Sequence, residues 1–356
     1  MDETSPGWDA IDSALARIYG DTEPYHWGAI IKWALGGPDP LDGISAYRRD
    51  DPVPHWHYVS YGMTELYEKQ SDNPDESGWG FEFTFRLARD PAEPADAEPP
   101  VWPANFLQNL GRYVFQSGNW FETGHHIDLN GPIAADRDDT AIRAAAFVRD
   151  PELGAISTPH GRVEFLQVVG LAYDEYEAAR SWNTESLLEA LSPHLPLFVT
   201  DIERASLMAV PDVAEAVRQG AARDGSSQGA VFVDVVGWTR EADAVTIRLG
   251  ALPAPSIAEA LRRRLPYGRD LIVQGTDARL WFRPGDAYSA VEIDDEALAI
   301  TVPEAELEAV LDDLAAALPA EAGRRTVPSL PGLVIDVERS VIRDSRSGEA
   351  TGRVVG

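Results

Sequence analysis

The sequence contains no cysteine. That absence removes disulfides, thiolate metal sites and thiol nucleophiles together, and it fits a reducing compartment. Lysine is nearly missing too: Lys32 and Lys69 stand against twenty-eight arginines, a bias typical of GC-rich bacterial genes. Positive charge is scarce altogether. Thirty basic residues face fifty-nine acids, for a formal net charge of −29. A field of that sign repels phosphate backbones and anionic bilayers, so neither nucleic acid nor membrane is an expected partner. No apolar run approaches the ~20 residues of a membrane-spanning helix. The opening residues Met1 to Pro6 are acidic and have no apolar core of signal-peptide length. These absences predict a cytoplasmic protein. Gly-x-Gly-x-x-Gly, a Walker loop, His-Glu-x-x-His and an EF-hand loop are also lacking, so no cofactor is expected.

The 356 residues are 44% apolar, with 10 Trp, 11 Tyr and 11 Phe. That is enough to bury two cores and argues against disorder. Helical spacing over Pro6–Tyr19 predicts a first helix ended by Gly20. Strands are predicted at Ile30–Leu35, His55–Tyr61 and Gly80–Leu87. The last alternates, with Phe81, Phe83 and Phe85 on one face and Glu82, Thr84 and Arg86 on the other. An apolar stripe from Phe106 to Phe115 predicts a helix opened by Pro103. Residues 117–161 read as turn-rich, Val163–Val169 as a buried strand, and 173–180 and 184–191 as helices.

All seven histidines and eight of the ten tryptophans precede residue 201, which marks a change of character. A second unit follows, with strands near 230–236, 244–249, 270–274, 279–283, 288–293 and 297–302. Helices over 256–265 and 303–318 complete it, the first with Ser256 and Glu259 spaced as a capping box. The expected fold class is α+β, in two mixed α/β domains. The boundaries are 1–204 for the first domain, 205–229 for a linker helix and Gly-rich hinge, 230–321 for the second domain and 322–356 for a tail.

Three patterns bear on chemistry. Gly225 to Gly229 fits Gly-x-Ser-x-Gly, but a helix precedes it, a strand follows, and no histidine comes after His194. That context is the reverse of a nucleophile elbow, so the pattern reads as a turn. His55 and His57 share one strand face and, with His125 and His126, are the weak candidates for a metal. They support the alternative reading of a metal-dependent enzyme, against hydrogen-bonded structural histidines. Glu82 and Glu164 sit among apolar strand residues, where burial raises a carboxyl pKa, but an outward-facing position explains Glu82 more simply. The residues therefore assemble no active site, and they favour a binding module over an enzyme.

Five co-linear strings go beyond generic patterning: LGGPDPLD (Leu35–Asp42), HWHYVSYGMTELY (His55–Tyr67), GWGFEFTFRL (Gly78–Leu87), RYVFQS (Arg112–Ser117) and TPHGRVEFLQVVG (Thr158–Gly170). In this order they resemble the suppressor of fused family, with weaker likeness continuing through LRRRLPYGR (Leu261–Arg269). The resemblance implies a non-catalytic scaffold of two α/β domains. Animal members hold Gli-type transcription factors in the cytoplasm by taking up a short peptide as an extra strand in the interdomain cleft. It places Tyr113 and Phe121 at the peptide groove and makes Ala230–Val236, with Ala230 and Phe232, an edge strand for the added peptide. Where animal members carry an aspartate after a glycine to pair with a basic peptide residue, here Gly124 is followed by His125, whose neutral imidazole does not supply that charge. Bacterial relatives imply a role as an immunity protein, and the acid excess suits a basic toxin domain as partner.

Overall fold

The computed structural model describes residues 4–31, 33, 36–242, 244–343 and 350–356. The chain divides into two compact units. One holds residues 1–179 and 184–215, the other 180–183 and 216–356. The division falls inside a helix near residue 215 instead of at residue 204.

The first unit runs α1 (Pro6–Tyr19), β1 (Tyr25–Gly28), β2 (Gly43–Arg49), β3 (His55–Tyr61), β4 (Glu76–Ala88), α2 (Trp102–Ser117), β5 (His126–Asp128), β6 (Ile142–Arg149), β7 (Ala155–Thr158), β8 (Gly161–Ala172), α3 (Tyr173–Ser181) and α4 (Thr184–Leu191). Among the described residues these strands form one eight-stranded sheet, ordered β1-β2-β3-β4-β8-β6-β5, with β7 also on β8. The β4–β8 pair is parallel and the others are antiparallel. Both faces are covered. Phe83, Phe85, Leu107, Leu110 and Val114 pack α2 on one face; Ile11, Leu15, Val59, Tyr61 and Phe165 pack α1 on the other. A central strand with two covered faces buries every side chain, so alternation marks no solvent side.

That geometry corrects the sequence reading of β4. Glu82, Thr84 and Arg86 are fully buried like the phenylalanines beside them. The predicted strand at Ile30–Leu35 also fails. Lys32, Ala34 and Leu35 lie outside the described residues, and Ile30, Ile31 and Trp33 are not in a strand. The strand forms one step earlier, at Tyr25–Gly28, where it finds β2 as a partner. The stretch taken as turn-rich contains β5, β6 and β7. Three consecutive alanines in β6 carry little strand propensity, but β8 and β5 flank them on both sides.

The second unit follows α5 (Pro211–Asp224), which crosses the division. Its elements are β9 (Ala230–Phe232), β10 (Val236–Glu241), β11 (Ala244–Gly250), α6 (Ala254–Arg264), β12 (Leu271–Gln274), β13 (Arg279–Gly285), β14 (Ser289–Asp294), β15 (Ala297–Pro303), α7 (Leu307–Ala317), β16 (Gly323–Thr326), β17 (Leu333–Glu338), β18 (Ser340–Arg343) and β19 (Ala350–Val355). Among the described residues two sheets result, ordered β10-β11-β17-β16 and β14-β15-β13-β12-β9, beside an antiparallel β18–β19 pair. Ile247, Ile257, Leu261, Phe282, Ile300, Leu314 and Ile335 join sheets and helices in one core. Residues after 322 are thus more than a tail, because β17 pairs in parallel with β11 inside this core. α6 begins two residues before Ser256, with Pro253 at its N-cap and no side-chain cap. The capping box does not form.

Candidate functional site

A sheet edge presents unpaired main-chain N–H and C=O groups to anything extended that approaches it. Two short edges lie near the residues the sequence singled out. β9 lies at the end of its sheet and pairs in parallel with β12 through Val231↔Val273. Ile272 N–H donates to Gly229 O (2.9 Å) and Val233 N–H to Gln274 O (2.8 Å). Positions 229, 231 and 233 therefore face β12, and the main-chain groups of 230 and 232 face away. The Gln228 side-chain amide donates to Ala230 O at 3.2 Å and occupies one of those outward acceptors. Val231 anchors the strand in the core at 7% exposure, whereas Phe232 is 79% exposed. The strand is three residues long, shorter than the expected 230–236, and β10 takes up the chain at Val236.

The other edge is β5, paired to β6 through Ile127↔Ala145. Phe147 N–H donates to His125 O and Leu129 N–H to Arg143 O, so the main chain of His126 and Asp128 points away from β6. Tyr113 comes to this region from the end of α2. Its ring is 47% exposed and stacks on Phe121, with centroids 5.5 Å apart. Phe121 in turn stacks on Phe147 at 4.1 Å and is 5% exposed. Phe121 is therefore the buried support of an exposed tyrosine and has little surface to offer. His125 is exposed, and its Nδ1 accepts from Glu122 N–H at 3.2 Å. Sequence reasoning missed β5 itself; the signal was Ile127, one apolar residue alternating with polar neighbours between two turns.

The histidines do not converge. His126 meets Thr184 Oγ1 at 2.9 Å and the Tyr176 ring edge. His55 lies buried with Nδ1 2.7 Å from Val53 O. His57 takes the Tyr19 hydroxyl at Nδ1 (2.7 Å) and places Nε2 3.3 Å from Asp150 Oδ2. Burial lowers both ring pKa values, to about 3 for His55 and about 4 for His57. A metal site needs three or four donors around one point. Among the described residues no group of three or more His, Asp or Glu side chains is placed to hold one.

Asp150 instead belongs to a buried charged network. It receives Arg86 Nη1 at 2.6 Å and Thr84 Oγ1 at 2.8 Å, and Arg86 Nη2 reaches Glu152 at 3.0 Å. The partners hold the Asp150 carboxyl well below the usual range despite burial. Glu82 has no cation. Burial pushes it up to about 7, against hydrogen bonds from the hydroxyls of Ser60 and Thr64 and the N–H groups of Gly62 and Thr64. Those bonds fasten the chain after β3 to β4, a structural duty. Glu164 is paired with Arg149 and Arg162, which draw its pKa down.

The turn at Gly225 to Gly229 is fastened as well. Gly225 has φ 66°, and a Cβ there would stand 2.4 Å from the Tyr267 ring and 2.6 Å from Arg263 O. Ser226 is buried, its hydroxyl donating to Arg180 O (2.6 Å) while Arg264 and Arg269 donate to its carbonyl. Ser227 N–H donates to Trp182 O at 2.7 Å. Instead of a free hinge, the turn is a pinned lead-in to β9.

A family model for the suppressor of fused protein matches residues 37–205. The mouse suppressor of fused homolog is 37% identical over 292 residues, which cover 73% of this chain. The chain spans only 59% of that relative's length. The solved structure of Drosophila Suppressor of Fused matches 95% of this chain and 98% of its own with a TM-score of 0.80, at 24% identity. A chain in a crystal structure of the Sufu-Fu complex matches at 33% identity and a TM-score of 0.57, over 60% of this chain and 98% of that one. No helix of the described residues is long and apolar enough to cross a membrane. The chain belongs to the suppressor of fused family.

Proposed function

We propose that this protein is a non-catalytic scaffold of the cytoplasm that binds another polypeptide by β-augmentation. It receives an extended segment of its partner as an added strand on an exposed sheet edge. The observation that carries this reading is β9: a core-anchored edge whose outward main chain is unpaired by any neighbouring strand and whose Phe232 is 79% exposed. Main-chain hydrogen bonds along such an edge supply affinity, and adjoining side chains supply choice. β5 ends its own sheet beside Tyr113 and His125 and offers a second edge, through Asp128. The Sufu-Fu complex is consistent with this reading, since that relative crystallises with a protein partner. A net charge of −29 favours a basic partner through faster encounter. A basic toxin domain, which the protein neutralises as an immunity protein, is the specific partner we infer.

The test uses Phe232→Pro. The N–H of Phe232 faces away from β12, so proline there removes an outward donor and leaves the β12 ladder intact. Affinity capture from the native lysate at physiological salt is expected to recover a protein with the wild type and with Phe232→Ala at reduced yield. Phe232→Pro, unchanged in thermal midpoint, is expected to recover none. Equal recovery by the proline variant, or no protein recovered by the wild type, overturns the reading.

A further inference from the structure

A cleft of about 630 Å³ opens on the first unit where β4 ends, between the 88–102 segment, the start of α2 and residues 201–203. Trp56, Leu87, Trp102 and Ile202 give it apolar walls. Three polar atoms of its lining residues have no hydrogen-bond partner: Trp56 Nε1, Arg89 Nε and Glu93 Oε2, all sealed from solvent. Trp56 is 1% exposed and the Arg89 side chain 3%. Buried polar groups are nearly always paired, so three orphans around one cleft call for an explanation.

Their positions are fixed by the backbone. Arg89 N–H donates to Pro54 O at 3.1 Å, and Ala88 N–H to Thr200 O at 2.9 Å. The Arg48 guanidinium holds the carbonyls of Glu93 and Pro94. The remaining guanidinium nitrogens of Arg89 are engaged, with Asp50 and with Asp90 O, which leaves Nε alone without a partner. α2 starts at this cleft with no side-chain cap, so its positive end is uncompensated by any residue of its first turn. Glu93 is close enough for its charge to act on Arg89 without forming an ion pair. The cleft thus has two unpartnered N–H donors beside a positive helix end, an apolar wall, and the acidic residues Asp90, Glu93, Asp136, Asp201 and Glu203, of which Glu93 carries the unpartnered buried oxygen.

We propose that this cleft binds a small zwitterion of the α-amino-acid class. The ligand carboxylate receives Trp56 Nε1–H and Arg89 Nε–H, the ammonium donates to Glu93, and an apolar side chain lies against Trp102 and Ile202. On this proposal Glu93, which rides on a largely exposed segment, 90–98, turns its side chain to admit the ligand. None of these residues belongs to the β5 or β9 edges, so the two proposals stand or fall separately.

Isothermal titration of the full chain with L-leucine and L-phenylalanine tests it, with N-acetyl-L-leucine and L-leucinamide as controls that each lack one charge. The expected result is saturable binding with a dissociation constant near or below about 1 mM. Each control, and each of Glu93→Gln and Trp56→Phe with L-leucine, is expected to bind about tenfold weaker, since each loses one charged or hydrogen-bonded contact. Glu93→Gln is expected to keep the unliganded thermal midpoint. Absence of binding by both amino acids at about 10 mM, binding of either control as tight as that of L-leucine, or undiminished binding by Glu93→Gln overturns the proposal.

Discussion

His55, His57 and Glu82 are buried within the first unit's sheet, and their protonation pulls stability in opposite directions. The two histidines have folded pKa values of about 3 and about 4 against an ordinary 6.5. The folded protein therefore binds fewer protons than the unfolded chain between those values and 6.5, and stability falls as pH falls through that window. Glu82, at about 7 against 4.5, binds its proton more tightly when folded, so its contribution rises as pH falls from 7 to 4.5. Between pH 6.5 and 4.5 the histidines lose roughly two units each and Glu82 gains roughly two. At about 1.4 kcal/mol per unit the balance is a loss of about 2–3 kcal/mol. Below pH 3.8 Asp150 adds to the loss, because its folded pKa is depressed and its network needs the anion. Urea midpoints at pH 6.5, 5.5 and 4.5 are expected to fall steadily. A constant or rising midpoint contradicts the burial assigned to His55 and His57.

At the scale of elements, the lead-in to β9 depends on one glycine. Gly225 sits at φ 66° with no room for a Cβ between Tyr267 and Arg263 O. Gly225→Ala is expected to destabilise the protein by about 2 kcal/mol or more, since it adds backbone strain to a clash with main chain. Thermal unfolding of the full chain measures it, and a change below about 0.5 kcal/mol contradicts the pinned turn. This element also shows what the sequence could tell. Its glycines and serines identify a turn, but the hydrogen bonds from Arg264, Arg269 and Trp182 that hold it are tertiary. β3, β8, α1, α2 and most of the second unit were legible, since their apolar periodicity agrees with the face they bury. β4 was legible as a strand and not in its burial: alternation says which residues share a face, not whether a helix covers it. α1 covers the face bearing Glu82, and that packing lies far along the chain. β5 and β6 were hidden because three residues and an alanine run carry almost no intrinsic strand preference.

On the scale of the whole molecule, the legible part of the candidate site was the edge, and the illegible part was its depth. Tyr113 and Phe232 stand exposed, while Phe121 is turned under Tyr113 into the core. The orphaned polar atoms of Trp56, Arg89 and Glu93 have no sequence signature at all, because being unpaired is a property of the packed state. Two units with separate cores, an acid excess and short sheet edges are the features on which the proposed binding role rests. The central claim is that a partner adds a strand to those edges. Amide hydrogen exchange in the presence of the captured partner measures it directly. The account predicts strong protection of the outward amides of Asp128 and Phe232, while Ile127 and Val231, already bonded inward, change little. Unaltered exchange at Phe232, or protection spread evenly over inward and outward positions, would contradict it.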